Sequence, residues 1–360
     1  MVLFIGADVH KKSHTLVAVD PAGKQVGHLR VSATGSGHER AYRWARKFKD
    51  QDRVWGVEDC RHLTGRLERD LLAHGEHVVR VKPKLMAAQR SAARTYGKSD
   101  PIDALSVARA MAREPDLPVA RPSGEERQVR LLLARREDLV AERTRAVNRL
   151  RWHLHELEPE LDPKPRALNG PGARQRVRDF LAGQESIVAE IASMELDDID
   201  RYCQQVTDLE RRIRYWVAEL VPELLEIPGC AELTAAKILG ETAGIERFAS
   251  PEKYAMFSGC APIPAWSGRT EGRVRLNRGG NRQLNCAIHR IAVTQIRLEG
   301  PGQDYYQRLR TTGKGKMEAL RCLKTAIART LWRVQTRGRA DTGAGVGLAM
   351  PETTCLSQAA

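Results

Sequence analysis

Four carboxylates have the type and spacing for work on a phosphodiester. Asp8 closes the apolar run VLFIGAD, Glu58 closes RVWGVE, and Asp100 and Asp103 open the segment SDPIDALSVARA. Hard divalent cations take oxygen ligands and leave part of their shell for phosphate and water, so metal-assisted cleavage needs several converging carboxylates. Asp8 and Glu58 each end a predicted strand, which places them on one sheet edge if those strands are parallel neighbours. Three residues apart at a helix start, Asp100 and Asp103 project from one face toward that edge. Plainer roles exist for each. Asp100 fits an N-cap with Pro101 at the first helical position and Asp103 at the third. Asp8 and Glu58 fit solvated strand ends. For Asp100, capping and metal binding are compatible.

A second segment, GCAPIPAWSGRTEGRVRLNRGGNRQLN, carries a different chemistry. Pro262 and Pro264 fix an extended lead-in to Ser267-Gly268. Arg269, Arg273, Arg275, Arg278 and Arg282 form a basic stripe around Gly279-Gly280-Asn281. A serine hydroxyl beside glycine can approach a phosphate closely, and guanidiniums can hold that phosphate bidentately. The plain alternative is a turn.

These residues need elements to position them. The first 30 residues read as three strands with a turn at Pro21-Ala22-Gly23-Lys24. A helix is predicted over 37–49, a strand over 53–58, a helix over 63–73 and a strand over 77–81. Helices follow around 86–94 and 101–113. An antiparallel three-stranded start followed by alternating helices and strands implies a mixed α/β sheet, in the order that RNase H-like domains use. Residues 114–124 (EPDLPVARPSG) read as a linker.

Beyond it, Val140, Arg143, Val147, Leu150, Leu154 and Leu157 repeat with a 3,4 spacing, as do Ile199, Tyr202, Val206, Leu209, Ile213, Trp216 and Leu220. Such a period predicts coiled-coil seams, satisfied either by an intramolecular hairpin or by a second copy. Four prolines and two glycines between 159 and 172 force the chain to turn. From Leu224, LLEIPGCAELTAAKILGETAGIERF resembles a helix-hairpin-helix whose turn at Gly229 would present backbone N–H groups to a phosphate. An ordinary helix corner is the alternative. The expected division is a sheet domain over 1–114, linker and helices over 115–223, a mainly helical C-terminal domain over 224–336 and a disordered tail over 337–360.

Composition restricts the partners. With 59 Lys and Arg against 45 Asp and Glu, the chain carries a formal charge of +14. That excess favours a polyanion, because each cation placed on a phosphate releases condensed counterions. A membrane surface would attract the same charge, but no apolar run approaches the roughly 20 residues of a spanning helix. The apolar N-terminus meets Asp8 too early for a secretion signal. A cytoplasmic, nucleic-acid-bound protein is expected. Seven scattered cysteines without a CxxC pair argue against zinc and against a disulfide framework. His153 and His155, two apart on a helix, point to different faces.

The order Asp8 in IGADVHKKSHTLVAVD, Glu58 in VWGVEDC and Asp100/Asp103 in GKSDPIDALSVARA resembles the DEDD transposases of bacterial insertion sequences, relatives of the pilin-gene invertases. IPGCAELTAAKIL and GCAPIPAWSGRTEG followed by RGGNRQLN resemble that family's C-terminal domain. The resemblance spans about residues 2–335. It implies a RuvC-like domain in which Asp8, Glu58, Asp100 and Asp103 ligate Mg²⁺, and a nucleophile at Ser267 that forms a phosphoserine link to DNA. It also implies a bridge RNA that pairs with donor and target DNA, and a nucleoid setting in a bacterium. Two positions depart from the family pattern: Cys260, where leucine is common, and Asn285, where arginine is common.

Three functions follow from these residues. The favoured one is a recombinase of a dimer or tetramer, since strand exchange needs at least two active sites; a site-specific DNA invertase shares its features. The second is a metal-dependent nuclease of Holliday-junction type that uses water, with Ser267 structural. The third is a nucleic-acid-binding protein without chemistry, for which four carboxylates in so basic a chain would be a liability.

Overall fold

The computed structural model describes residues 2–48, 52–58, 61–91, 99–114, 117–121, 124–270, 274–277 and 279–337. The chain forms two compact units, residues 1–123 and 124–360.

The first unit is built on a five-stranded mixed sheet. Its elements are β1 (Val2–Val9), β2 (Ser13–Val19), β3 (Gln25–Ser32), α1 (Gly35–Ala45), β4 (Asp52–Glu58), α2 (Arg61–Ala73), β5 (His77–Val81), α3 (Pro83–Ser91) and α4 (Asp100–Arg113). The strand order is β3-β2-β1-β4-β5. The first three strands are antiparallel, and β1, β4 and β5 run parallel. Both faces are covered, which is why the central strands are almost continuously apolar. One face packs Leu3, Ile5, Trp55 and Val57 against Ala41 of α1 and Leu67 and Leu71 of α2. The other packs Phe4, Val17, Val54 and Val79 against Ala104, Val107, Ala108 and Met111 of α4. The mixed α/β sheet expected from the sequence is present, and Thr34 starts α1 two residues earlier than expected by accepting a bond from the Gly37 N–H.

Two glycines decide where α4 lies. Gly6 and Gly56 are partners across β1 and β4. A Cβ at Gly6 would stand 2.2 Å from the Ala104 carbonyl oxygen, and one at Gly56 2.3 Å from Met111 Sδ. With hydrogens in those places, the helix rests directly on the two central strands. Its start differs by one residue from the expected cap. Ser99, extended at φ −155°, is the N-cap without a side-chain bond, and Asp100 is already helical. Proline marks this start imprecisely, because no N–H of the first turn has a helical partner to lose.

The second unit is helical, with α5 (Glu125–Leu157), α6 (Pro171–Leu181), α7 (Ile187–Leu220), α8 (Glu232–Thr242), α9 (Pro251–Phe257), the short strands β6 (Pro262–Pro264) and β7 (Val274–Leu276), α10 (Arg282–Arg297), α11 (Pro301–Thr311) and α12 (Lys316–Arg337). Helices α5 and α7 form an antiparallel hairpin in which Arg136 pairs with Glu210 and Arg149 with Glu195. Val147, Leu150, Leu154, Ile199, Val206 and Ile213 of the expected seams are buried. The polar interruption is accommodated: Arg143 Nη1 donates to Cys203 Sγ at 3.7 Å. At the hairpin tip, Leu150, Leu154 and Leu196 close a small core with Leu168 and Val177. At its base, Val129, Leu133, Ile213 and Val217 share one core with Leu239, Tyr254, Ile288, Leu323 and Leu331 from α8, α9, α10 and α12. The expected disordered tail falls, from residue 338 on, outside the described residues. No helix among the described residues is long and apolar enough to cross a membrane.

Candidate active site

Asp8 and Glu58 lie at the C-terminal edge of the parallel strands, and Asp100 and Asp103 at the start of α4. Ala7 of β1 lies opposite Val57 of β4, so Asp8 and Glu58 follow side by side at the ends of neighbouring parallel strands. Alternation along each strand puts both on the face that α4 covers. Asp8 is 8 % exposed. Beside it stands the start of α4, where the positive end of the helix dipole favours carboxylates.

His10, just past β1, links the two elements. Its Nε2 lies 3.0 Å from Asp8 Oδ2 and 3.4 Å from Asp100 Oδ1. Ligand atoms of Asp8, His10 and Asp100 all lie within 4.8 Å of one another. Arg30 Nη2 stands 4.0 Å from the other Asp100 oxygen. Glu58 and Asp103 do not belong to that close set. Asp103 is near enough to act on Asp8, whose carboxyl is held above the usual range by burial, with the charges of Asp103 and Asp100 adding to the effect and His10 opposing it. A buried carboxylate crowded by two others is short of positive charge, and this oxygen-rich donor set suits a divalent cation. His10 was not among the residues that the sequence singled out. The signal was present, since positions 8 and 10 of an extended chain share a face.

The serine segment has a different build. Strands β6 and β7 pair antiparallel, with Pro262 opposite Leu276 and Pro264 opposite Val274. Ser267 and Arg269 are exposed in the loop that joins them, on either side of Gly268 at φ +47°. Arg275 is exposed on β7 and Arg282 on the first turn of α10; Arg273 and Arg278 lie outside the described residues. The base of this hairpin is set by a backbone contact: a Cβ on Gly280 would stand 2.2 Å from the Gly259 backbone. The next residue, Asn281, donates its N–H to the Phe257 carbonyl at 2.7 Å. Its side chain caps α10, accepting from Leu284 N–H at 3.0 Å and donating to Glu241 at 2.7 Å.

The turn before α8 and the two atypical positions are explained by packing. Gly229, at φ +84°, has α10 against it, and a Cβ there would meet Thr294 Cβ at 2.9 Å. Asn285 donates to the Ser258 carbonyl at 2.9 Å and accepts from Lys324 Nζ at 2.6 Å, which ties α9, α10 and α12 together. Cys260 is buried, and burial pushes its thiol pKa up.

Known proteins resemble both halves. A DEDD transposase model of the IS110 type matches residues 5–159, and a model of the transposase IS116/IS110/IS902 family matches residues 221–307. The IS116 insertion-element 44.8 kDa protein of Streptomyces clavuligerus is 26 % identical over 377 residues, covering 92 % of this chain and 94 % of that protein. The IS900 insertion-element 42 kDa protein of Mycobacterium paratuberculosis is 27 % identical over 73 % of this chain and 77 % of its own length. Among solved structures, Thermus thermophilus RuvC in complex with a Holliday junction substrate matches at 14 % identity over 33 % of this chain and 100 % of its own, with a TM-score of 0.28. One transposase model thus covers the sheet with the acidic residues, a second covers the helices with the serine hairpin, and the chain belongs to the DEDD transposase family of bacterial insertion sequences.

Proposed function

We propose that this transposase cuts and rejoins DNA through a covalent serine–phosphate intermediate at Ser267, with Asp8, Glu58, Asp100 and Asp103 as the acidic set for a divalent cation such as Mg²⁺. The observation that carries the reading is the crowding of carboxylates around buried Asp8 at the strand ends. When bound there, the cation supplies positive charge for the phosphate that reacts.

The chain's own residues do the rest. Asp8 and Glu58 are placed by strand register, and α4, resting on Gly6 and Gly56, carries Asp100 and Asp103 at its start. Ser267 Oγ attacks phosphorus, forming an Oγ–P ester as a deoxyribose oxygen leaves with the proton. Attack by the hydroxyl of another strand reverses the step and restores the serine, so the bond energy is kept for joining. Arg269, Arg275 and Arg282 grip the flanking phosphates, in keeping with the net charge of +14. The same charge suits a guide RNA, and exchange of two strands calls for at least two copies of the chain.

A nicked suicide substrate tests the reading. Wild-type protein is expected to accumulate a protein–DNA adduct that Ser267→Ala does not form. An adduct that persists in Ser267→Ala overturns the nucleophile, and cutting without any adduct points to attack by water.

A further inference from the structure

We infer that His10 is a ligand of the metal in the acidic site, a nitrogen donor among carboxylates that biases the site toward Mn²⁺ over Mg²⁺. This rests on the reading of the acidic residues as a cation site. Three observations carry it. First, one atom, His10 Nε2, faces carboxylate oxygens from two different elements, Asp8 Oδ2 at 3.0 Å and Asp100 Oδ1 at 3.4 Å. A histidine that merely steadied Asp8 would need one acceptor. Second, one ligand atom each of Asp8, His10 and Asp100 lies within 4.8 Å of the other two, close enough for a single cation to reach all three. Third, access is one-sided. The side chains of His10 and Asp100 are 53 % and 41 % exposed, whereas Asp8 is nearly covered. Arg30 stands toward the second oxygen of Asp100 and leaves the first turned to His10.

The chemistry of the donors sets the preference. Mg²⁺ holds to oxygen ligands, keeps its waters and tolerates little distortion. Mn²⁺ is the weakest binder of the transition series and shares the taste of Mg²⁺ for carboxylates, but as a transition ion it accepts an imidazole nitrogen more readily than Mg²⁺ does. Removing an imidazole donor from this set therefore weakens Mn²⁺ more than Mg²⁺, and narrows the preference.

The test uses the full chain loaded with Mn²⁺ and read by pulsed electron paramagnetic resonance, without DNA. Wild type is expected to show coupling from a coordinated imidazole nitrogen. His10→Ala and His10→Gln are expected to lose it, with Mn²⁺ affinity falling about 10- to 100-fold, at least what loss of an outer-shell partner costs, and Mg²⁺ affinity falling less. Tight Mn²⁺ binding with no nitrogen coupling in wild type, or coupling that survives in both variants, overturns the role of His10 while leaving the cation site standing. Mn²⁺ bound no better by wild type than by Asp8→Asn overturns the cation site itself.

Discussion

The acidic edge of the first unit and the serine hairpin of the second place reactive groups in opposite ways. Asp8 is buried at a strand end, under a helix that two glycines hold against the sheet. Ser267 is exposed, in a loop between two strands of three residues each. Each region nonetheless relies on a close approach that a side chain would block, at Gly6 and Gly56 in one and at Gly259 and Gly280 in the other. The difference fits the chemistry proposed for each. A cation site must crowd like charges before any substrate arrives, and only a rigid frame does that. A nucleophile must reach a phosphate on a large, stiff partner, and exposure serves it better than rigidity.

The largest expected effect separates function from stability. Asp8→Asn and Ser267→Ala should each lower strand cleavage on the order of 10³-fold or more, as loss of a central catalytic group does. Their folds should diverge. Asp8→Asn removes a buried charge that Asp100 and Asp103 repel, so the metal-free protein should melt at a higher temperature. Ser267→Ala lies in an exposed loop and should stay within about 0.5 kcal/mol of wild type. Cleavage assays with calorimetry of both variants decide it; an Asp8→Asn protein that melts below Ser267→Ala would sink the contrast.

The first unit should also be the more acid-sensitive. His14 on β2 is buried, its Nε2 3.0 Å from Nε2 of His38, which in turn bonds Asp70. Burial first, then the neighbouring His38, pushes the His14 pKa down to about 4. Unfolding returns it to its ordinary value near 6.5, so the unfolded chain takes up the proton first. The stabilisation is complete above pH 6.5 and is lost as pH falls from 6.5 to 4, by about 3 kcal/mol. Hydrogen exchange of β2 amides across that range should show the loss, and His14→Leu should flatten it. An acid limb of unchanged slope in His14→Leu would rule out His14 as its cause.

How much was legible in the sequence follows from the physics of each region. Strand alternation and an acid at the ends of β1 and β4 were local, so the sheet and the strand-end positions of Asp8 and Glu58 could be read in advance, but not which acids come close to one another. The 3,4 spacing showed the α5 and α7 seams but not their partner, because a seam of this kind fits a second copy as well as a hairpin. His10 was passed over because its role depends on Asp100, some 90 residues away in the chain. Gly6 and Gly56 looked like ordinary strand residues for the same reason: their purpose lies in a helix that arrives later. Asn285, which departs from the family pattern, ties three helices together, a role only the packing reveals.

The glycine contacts give an intermediate effect. Gly6→Ala places a methyl against α4 backbone and should cost about 1–3 kcal/mol. It should also lower Mn²⁺ affinity, since Asp100 moves with the helix. Gly280→Ala should cost a similar amount by prising the hairpin base from Gly259, yet leave Mn²⁺ binding unchanged. Titration of both variants with Mn²⁺ checks this, and equal loss of metal affinity in the two would undo the separation of roles.

The smallest expected effect concerns Asn281, which lies within the basic stripe of the serine segment. Both ends of its amide are engaged, the oxygen by Leu284 N–H and the nitrogen by Glu241. Asn281→Ala should therefore cost about 1 kcal/mol, the usual worth of an N-cap. Asn281→Ser keeps an acceptor for Leu284 N–H and should recover most of that loss. DNA affinity then distinguishes two roles. If the residue acts by holding the start of α10, and with it Arg282, affinity should drop slightly in the alanine variant and return with the serine. An affinity that stays low in Asn281→Ser while stability is restored would mean that the carboxamide itself touches the nucleic acid, and that the serine region grips phosphate with more than its arginines.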